Sequence, residues 1–165
     1  NSAQLVLIEP LPNSVSSRSS SFTRRSNSGS CCAASSCRFI CRSGMAGEPN
    51  HFSPSGMLCI TPDCTLYVSD RANRRVQIFT PDGQFKSQWT GMGGPNDMAL
   101  DEHGIFYLGE QATETSKPAI SVRDDNGTVL TRWEVAPTHG MGIDTLGNIY
   151  VGLTKLGRVD KYVRV

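Results

Sequence analysis

The chain has 165 residues, a formal net charge of +1 and six cysteines, and its hydrophobic and turn-forming residues are unevenly spread. A charge so near zero excludes a general electrostatic attraction to nucleic acid, so no nucleic-acid partner is expected. The length suits one domain, but the uneven composition shows that the chain is not one globule throughout.

Residues 1–43 differ in composition from the rest of the chain. Serine and arginine dominate this segment, Glu9 is its only acid, and QLVLIEPL is its only apolar stretch. So polar a composition cannot offset the entropy lost on ordering, which predicts a disordered, low-complexity segment. The apolar stretch is too short, and too interrupted by Pro10 and Pro12, to span a membrane. No basic region precedes it, so no secretory signal is legible and the compartment stays open.

The cysteines show no recognisable metal pattern. Four of them lie in the serine-rich segment without histidines at zinc-knuckle spacing: Cys31, Cys32, Cys37 and Cys41. Cys59 and Cys64 lie in or beside a strand pattern, where small buried thiols are common. Neither a disulfide framework nor a zinc knot is therefore expected.

From residue 44 onward the chain repeats itself. Three stretches align, GMLCITPDCTLYVSD, NDMALDEHGIFYLGE and HGMGIDTLGNIYVGL, and each is an apolar strand, a polar turn and a second strand. Two Gly-containing hairpins, TPDGQFKSQW and DDNGTVLTRW, each end in a tryptophan and complete the first two units. In chain order the pattern predicts eleven strands: 57–60, 66–69, 75–79, 85–89, 97–100, 105–108, 119–122, 129–133, 141–143, 149–151 and 159–163.

The period of the repeat indicates the architecture. Tyr67, Tyr107 and Tyr150 hold the same place on the second strand of each unit, and Trp89 and Trp133 recur likewise. A period of roughly forty residues with four short strands per unit is typical of a β-propeller blade. The predicted fold is therefore an all-β partial propeller of about three blades over residues 44–165, with the three tyrosines buried between sheets. Closed propellers have about 4 to 8 blades, so another blade is expected where residues 1–43 lie. This segment is either an authentic extension or the product of an upstream frame error or fusion.

Two runs carry a resemblance to a known family. Residues 66–89, LYVSDRANRRVQIFTPDGQFKSQW, and the final stretch HGMGIDTLGNIYVGLTKLGRVDKYVRV resemble NHL-repeat propellers, and in particular the peptidyl-α-hydroxyglycine α-amidating lyase family. The similarity covers residues 44–165. It implies NHL-type blades, a peptide substrate or protein ligand on the channel face, and a secreted or extracytoplasmic location.

The resemblance also implies a zinc-dependent lyase site. In that family, histidines at the blade starts bind zinc in the central channel, and an arginine in a DR-x-N-x-R run helps to hold the substrate. His139 and Arg71 stand at the matching positions. Zinc catalysis suits a few imidazole ligands and one open position. In the implied reaction a tyrosine base takes the hydroxyl proton of a carbinolamide, and the C–N bond breaks to give peptide amide and glyoxylate.

Two departures from the family pattern weaken that site in this chain. Gly56 stands in register with a second zinc histidine, and Gly140 replaces the acid that serves a structural calcium in the family's animal members. One imidazole cannot make a catalytic zinc site. Zinc binding is therefore expected to be weak or absent, calcium binding is not expected, and the chain is expected to be inactive by itself. Gly56, Asn96 and His139 share one register and should line one rim of the channel, with His139 pointing into it.

Other interpretations stay open. A non-catalytic NHL scaffold that binds a protein or a ligand is favoured by the missing histidine. A lactonase-type metal propeller would use Asn96, but it would need an acid where His139 stands. Arg71 could instead be a surface cation paired with Asp70 or with a neighbouring blade, and His139 could be only a hydrogen-bonding residue in a turn.

Overall fold

The computed structural model describes residues 5–8 and 57–164. These residues form β-strands and one 3₁₀ turn at Thr154–Leu156. The strands are β1 (Leu5–Ile8), β2 (Leu58–Ile60), β3 (Leu66–Asp70), β4 (Arg75–Phe79), β5 (Phe85–Trp89), β6 (Pro95–Leu100), β7 (Phe106–Glu110), β8 (Ala119–Arg123), β9 (Val129–Glu134), β10 (Met141–Ile143), β11 (Ile149–Leu153) and β12 (Arg158–Arg164). No helix within these two ranges is long and apolar enough to cross a bilayer.

The strands form three four-stranded sheets that follow one another along the chain. β2 to β5 make the first blade, β6 to β9 make the second, and β10, β11 and β12 with β1 make the third. Neighbouring strands of the first two blades are antiparallel, as short connections between consecutive strands allow. The all-β partial-propeller fold is confirmed. So are all eleven predicted strands, with ends that differ by no more than two residues.

The fourth strand of the third blade comes from the other end of the chain. Leu5–Ile8 pair in parallel with β12, from Leu5 opposite Lys161 to Ile8 opposite Arg164. These four residues belong to the segment 1–43, whose composition predicts disorder, and they form a strand instead. The rest of that segment lies outside the described residues, as do residues 44–56 of the predicted propeller domain.

A capped turn joins the first two strands of the second and third blades. The Asp101 carboxylate accepts hydrogen bonds from two backbone N–H groups of its own turn, each at 2.9 Å, and the Asp144 carboxylate does the same. Gly104 and Gly147 follow at φ 81° and 79°, where glycine is not strained. Cys64 holds the equivalent place in the first blade at φ 65°. It is disulfide-bonded, so its interpretation as a buried thiol is wrong.

Aromatic side chains fill the space between the first and second blades. The ring centroid of Tyr67 lies 4.4 Å from that of Phe106 and 5.2 Å from that of Trp89. Trp89 and Phe106 meet edge to face at 5.0 Å. Because successive strand residues point to opposite faces, alternate residues of β3 and β4 face the second blade. The buried cluster consists of Tyr67, Val76, Ile78, Trp89, Met92, Met98, Phe106 and Leu108.

Similar packing joins the second blade to the third, but the third tyrosine is not buried. Tyr107 is buried in a cluster with Ile149, so the predicted burial of Tyr67 and Tyr107 is confirmed. Tyr150 is only half-buried, and its predicted burial is wrong. Tyr150 lies on the face of the third blade that points away from the second, where the Lys161 ammonium is 5.2 Å from its ring centroid.

Candidate functional site

Residues from three blades meet where the innermost strands β2, β6 and β10 begin. Asn96 is the second residue of β6, and His139 precedes β10. Arg71 opens the turn after β3, and it lies at the same end of the first blade because β3 runs antiparallel to β2. We call this place the three-blade rim and define it by Arg71, Asn96, Thr138 and His139. Gly56, expected at the same rim, lies outside the described residues.

The Asn96 amide joins the three blades. Its Oδ1 accepts a hydrogen bond from Arg71 Nη1 at 3.1 Å, and its Nδ2 donates to the carbonyl oxygen of Thr138 at 2.7 Å. Two longer contacts complete the set. Asn96 Nδ2 donates to Asp97 Oδ2 at 3.3 Å, and Gln111 Nε2 donates to Asn96 Oδ1 at 3.5 Å. The starts of β6 and β10 therefore lie side by side.

Two glycines let the backbones approach this closely. A Cβ added to Gly94 would lie 2.9 Å from the carbonyl oxygen of Arg71, and one added to Gly109 would lie 2.4 Å from Thr138 Oγ1. Both distances fall below the 3.0 Å that real Cβ atoms keep. The geometry of the rim therefore depends on the missing side chains at these two positions.

Arg71 is a half-buried cation without a carboxylate partner among the described residues. The neighbouring Asp70 is buried and accepts hydrogen bonds from Arg75 Nε at 2.9 Å and from Asn73 Nδ2 at 2.8 Å. Arg71 reaches instead across to the second blade, where Nη1 binds Asn96. Its other guanidinium donors make no hydrogen bond to a described residue.

His139 is exposed and is held through its backbone. Its N–H donates to the carbonyl oxygen of Gly152, and the Gly152 N–H donates to the carbonyl oxygen of Gly140, both at 2.8 Å. A Cβ on Gly152 would lie 2.9 Å from the His139 carbonyl oxygen, so this crossing also requires glycine. Within residues 57–164 the His139 imidazole forms no hydrogen bond. That the imidazole points into the channel stays a prediction.

The donor set at the rim does not fit a catalytic zinc ion. Such a site takes about three protein ligands, and no group of three His, Cys, Asp or Glu side chains lies together in the part of the chain that the structure describes. The Asn96 oxygen, which a lactonase-type site would offer to a metal, accepts a hydrogen bond from Arg71 instead. A guanidinium at this distance would repel a metal cation, which disfavours the lactonase-type interpretation as well.

A second cleft, of about 240 Å³, lies at the opposite ends of β6 and β10. Leu100, Ile143, His103 and Arg164 are among the residues that line it. His103 is an exposed turn residue whose Nε2 is 3.7 Å from the Glu102 carboxylate. The cleft contains neither Arg71 nor His139, so it is separate from the three-blade rim.

The sequence identifies Asn96 only as a register position and a candidate metal ligand. Its bridging role between Arg71 and Thr138 is not legible, because Arg71 lies 25 residues before it and Thr138 lies 42 residues after it. An amide side chain at the start of an inner strand, next to two close glycines, is the signal that could have suggested it.

The chain matches no known protein family and no curated protein, but its fold matches solved structures at low identity. Virginiamycin B lyase from Staphylococcus aureus is 11% identical with a TM-score of 0.50, over 64% of this chain and 40% of that one. A streptogramin B lyase is 10% identical with a TM-score of 0.51, over 66% and 40%. A catalytically inactive variant of the S. aureus enzyme, solved with quinupristin, is 14% identical with a TM-score of 0.50, over 66% and 41%.

These likenesses concern the fold alone, because proteins this distant share an architecture without sharing a function. The chain spans about two fifths of the length of each of these structures. Together with the three consecutive four-stranded sheets, they identify the described residues as blades of a β-propeller-like fold.

Proposed function

We propose that the chain carries three blades of a propeller related to the amidating lyases, and that its three-blade rim binds the carboxylate of a peptide. One observation carries the proposal: Arg71 is half-buried at the rim, where Asn96 holds one of its nitrogens at 3.1 Å and no described residue accepts a hydrogen bond from its other guanidinium donors. The resemblance of residues 66–89 to the NHL and amidating lyase pattern supports it. The lyase propellers among the solved structures support it at the level of fold.

A guanidinium in this setting suits a carboxylate. Arginine is always charged, and its planar fork makes two parallel hydrogen bonds to a carboxylate. Partial burial lowers the effective dielectric constant, which strengthens the attraction. The peptidyl-α-hydroxyglycine that the resemblance implies ends in such a group. Arg71 would therefore hold the end of the substrate next to the C–N bond that breaks.

Binding does not entail turnover by this chain. Release of glyoxylate needs a base for the hydroxyl proton and a group that stabilises the oxyanion. Tyr67 and Tyr107 lie in blade cores, and burial first, then the nearby Asp101 charge, raises the pKa of Tyr107 to about 12. Neither is a suitable base at the rim. We therefore expect peptide binding, weak zinc binding through His139, and no release of glyoxylate.

Calorimetric titration with two matched peptides tests the binding. N-acetyl-Phe-Gly offers a free carboxylate, and its C-terminal amide does not. Arg71→Gln should weaken binding of the acid about tenfold, because a charge-assisted hydrogen bond is lost, and should leave the amide unaffected. Arg74→Gln removes a cation from an exposed position of the same turn and should change affinity less than about twofold. Equal affinity for both peptides would contradict a carboxylate site.

Turnover is tested separately with a peptidyl-α-hydroxyglycine and added Zn²⁺. The purified chain should release no glyoxylate above the uncatalysed rate, because a site that acts as a unit loses nearly all catalysis when parts are missing. Zinc-dependent release that disappears in His139→Ala would contradict this expectation and would establish a working metal site.

A non-catalytic scaffold is the second candidate function. The rim favours it, because the described residues supply a cation and an exposed imidazole there but no three-ligand metal group. The two candidates differ in ligand preference. A rim derived from a lyase should bind an α-hydroxyglycine terminus more tightly than a glycine terminus, whereas a scaffold should not distinguish them.

A further inference from the structure

We propose that Asn96 is a positioning residue of the three-blade rim. Its amide fixes the direction of the Arg71 guanidinium and ties it to the backbone that leads into His139. The carboxylate ligand of the rim rests on the proposed function, whereas the positioning of Arg71 rests on geometry alone.

The two ends of the Asn96 amide have opposite hydrogen-bonding roles. The Oδ1 end meets a donor, Arg71 Nη1, and the Nδ2 end meets an acceptor, the Thr138 carbonyl oxygen. Turning the amide over would set its NH₂ group against the guanidinium and its oxygen against the carbonyl. Only one orientation therefore satisfies both partners, and Asn96 forms a directional bridge from the first blade to the third.

Two neighbouring polar side chains restrict the Asn96 amide further. The NH₂ group also donates to Asp97 Oδ2 at 3.3 Å, and Asp97 is 1% exposed and so cannot move freely. Gln111 Nε2 approaches Asn96 Oδ1 at 3.5 Å, the outer limit of a hydrogen bond. A side chain fixed in this way presents a fixed acceptor to Arg71.

Arg71 needs such a partner if it is to bind with a defined geometry. Its side chain has several rotatable bonds, and freezing them opposes binding unless they are already fixed. Asp70 does not do this, because its carboxylate binds Arg75. Removing the Asn96 amide should therefore spread the guanidinium over several orientations without changing its charge.

Side-chain NMR of the full 165-residue chain tests the positioning directly. The Arg71 guanidinium should give separate Nη signals, assigned by their loss in Arg71→Gln, because a fixed hydrogen bond slows its rotation. Asn96→Ala should average these signals. Asn96→Asp keeps an acceptor for Arg71 and should retain them. Asn126→Ala removes the same side chain from an exposed hairpin and should leave them unchanged.

Titration with N-acetyl-Phe-Gly gives the functional readout. Asn96→Ala should bind the peptide about tenfold more weakly, as expected for the loss of a hydrogen bond to a charged group. Asn96→Asp should also bind it more weakly, because the new carboxylate neutralises the guanidinium. Asn126→Ala should bind it as the unaltered chain does. Backbone amide signals far from the rim show whether each variant is folded.

Separate Arg71 signals that persist unchanged in a folded Asn96→Ala variant would overturn the positioning. If Asn96→Ala does not fold, Asn96→Asp decides, since averaged Arg71 signals in that variant would also overturn it. Averaged signals in Asn96→Ala combined with no peptide binding by any form of the chain would support the positioning and refute the proposed function.

Discussion

Charged residues of the described blades divide into those that are paired inside the fold and those that are not. Each blade holds a buried acid that is paired with an arginine, at 2.9, 3.0 and 2.9 Å: Asp70 with Arg75, Glu110 with Arg123, and Asp160 with Arg158. Glu110 also lies 3.4 Å from Arg132. Arg71, at the rim, has no described carboxylate partner. The paired groups serve stability, whereas Arg71, with no counter-charge among the described residues, is the cation to which the proposed function assigns an anionic ligand.

Glu110→Gln should destabilise the chain by about 3–5 kcal/mol, because it leaves the Arg123 guanidinium buried without a counter-charge. Arg123 Nη2 lies 3.0 Å from Glu110 Oε1, and the two side chains are 4% and 2% exposed. Glu134→Gln removes the same charge from an exposed pair with Lys117 and should cost less than about 1 kcal/mol. Urea unfolding compares the two variants, and equal losses would rule out burial as the cause.

Asp144 should contribute to acid sensitivity. Its pKa is lowered from 3.8 to about 2, first by the hydrogen bond from the Asn148 side chain and then by backbone N–H groups and the Tyr150 hydroxyl. Below 3.8 the unfolded state therefore binds more protons than the folded state, and the stabilisation is lost as the pH falls through about 2. Asp144→Asn has no such proton to gain. Its deficit in unfolding free energy should be largest at neutral pH and should shrink toward pH 2, whereas a constant deficit would exclude this titration.

Among the strands and turns, the hairpin between β8 and β9 contacts a neighbouring blade as well as its own. Gly127 in this turn has φ 83°, and the Trp89 ring of the first blade lies directly against it. A Cβ at position 127 would lie 2.4 Å from the indole. The turn that the Asn126-Gly127 pair predicts is therefore also a contact between blades.

Gly127→Ala should destabilise the chain more than Gly104→Ala. Both glycines have a positive φ, 83° and 81°, so the backbone cost of alanine is similar, roughly 1–2 kcal/mol. A Cβ at Gly104 meets no atom within 4 Å, whereas one at Gly127 collides with Trp89. The collision should add about 1–3 kcal/mol. Denaturant midpoints together with Trp89 fluorescence check this, and equal midpoints would show that the indole moves aside freely.

The sequence predicts strands well because alternation and turn residues are local signals. β2 to β12 all follow from them. β1 does not, because a strand of four residues without a nearby hairpin partner depends on pairing with β12. Tyr150 is misjudged for a related reason. Its place in the repeat fixes the face that it occupies, but not whether another blade covers that face.

At the scale of the molecule, the three blades form a row in which each interface has its own core. Phe106 contacts Tyr67 and Trp89 between the first and second blades, and Trp133 contacts Tyr162 between the second and third. Stability in such arrays is approximately a sum of unit and interface contributions. A substitution at one interface should therefore destabilise that interface more than the other.

Phe106→Ala should unfold the two interfaces at different urea concentrations. The side chain is 1% exposed, so its loss should cost about 3–5 kcal/mol, mostly at the interface that Trp89 reports. Fluorescence of Trp133→Phe and Trp89→Phe backgrounds follows one tryptophan at a time. In Phe106→Ala, the Trp89 fluorescence should change at a lower urea concentration than the Trp133 fluorescence. Val151→Ala removes a side chain from the second core, so in that variant Trp133 should change first. Coincident transitions in both variants would mean that the row unfolds as one unit.

The candidate site is less predictable than the fold because it exists only after three blades meet. Arg71 and His139 can be singled out by resemblance to a family motif. The hydrogen bonds of Asn96 cannot, since they join residues 25 and 42 positions apart in the sequence. The close approach at Gly94 and Gly109 is likewise a property of packed blades. A local pattern places each residue on its strand, and the assembly decides which of them touch.

The parallel pairing of β1 with β12 constrains the order in which the molecule is made. Synthesis proceeds from the N-terminus, so Leu5–Ile8 leave the ribosome first and Arg158–Arg164 last among the described strands. The first two blades contain only local pairings and can form on the growing chain, which lengthens by about 5–20 residues per second. The third blade stays incomplete until β12 has emerged and captured β1. During that interval β1 has no partner strand, so its backbone N–H and C=O groups are open to pairing with other nascent chains.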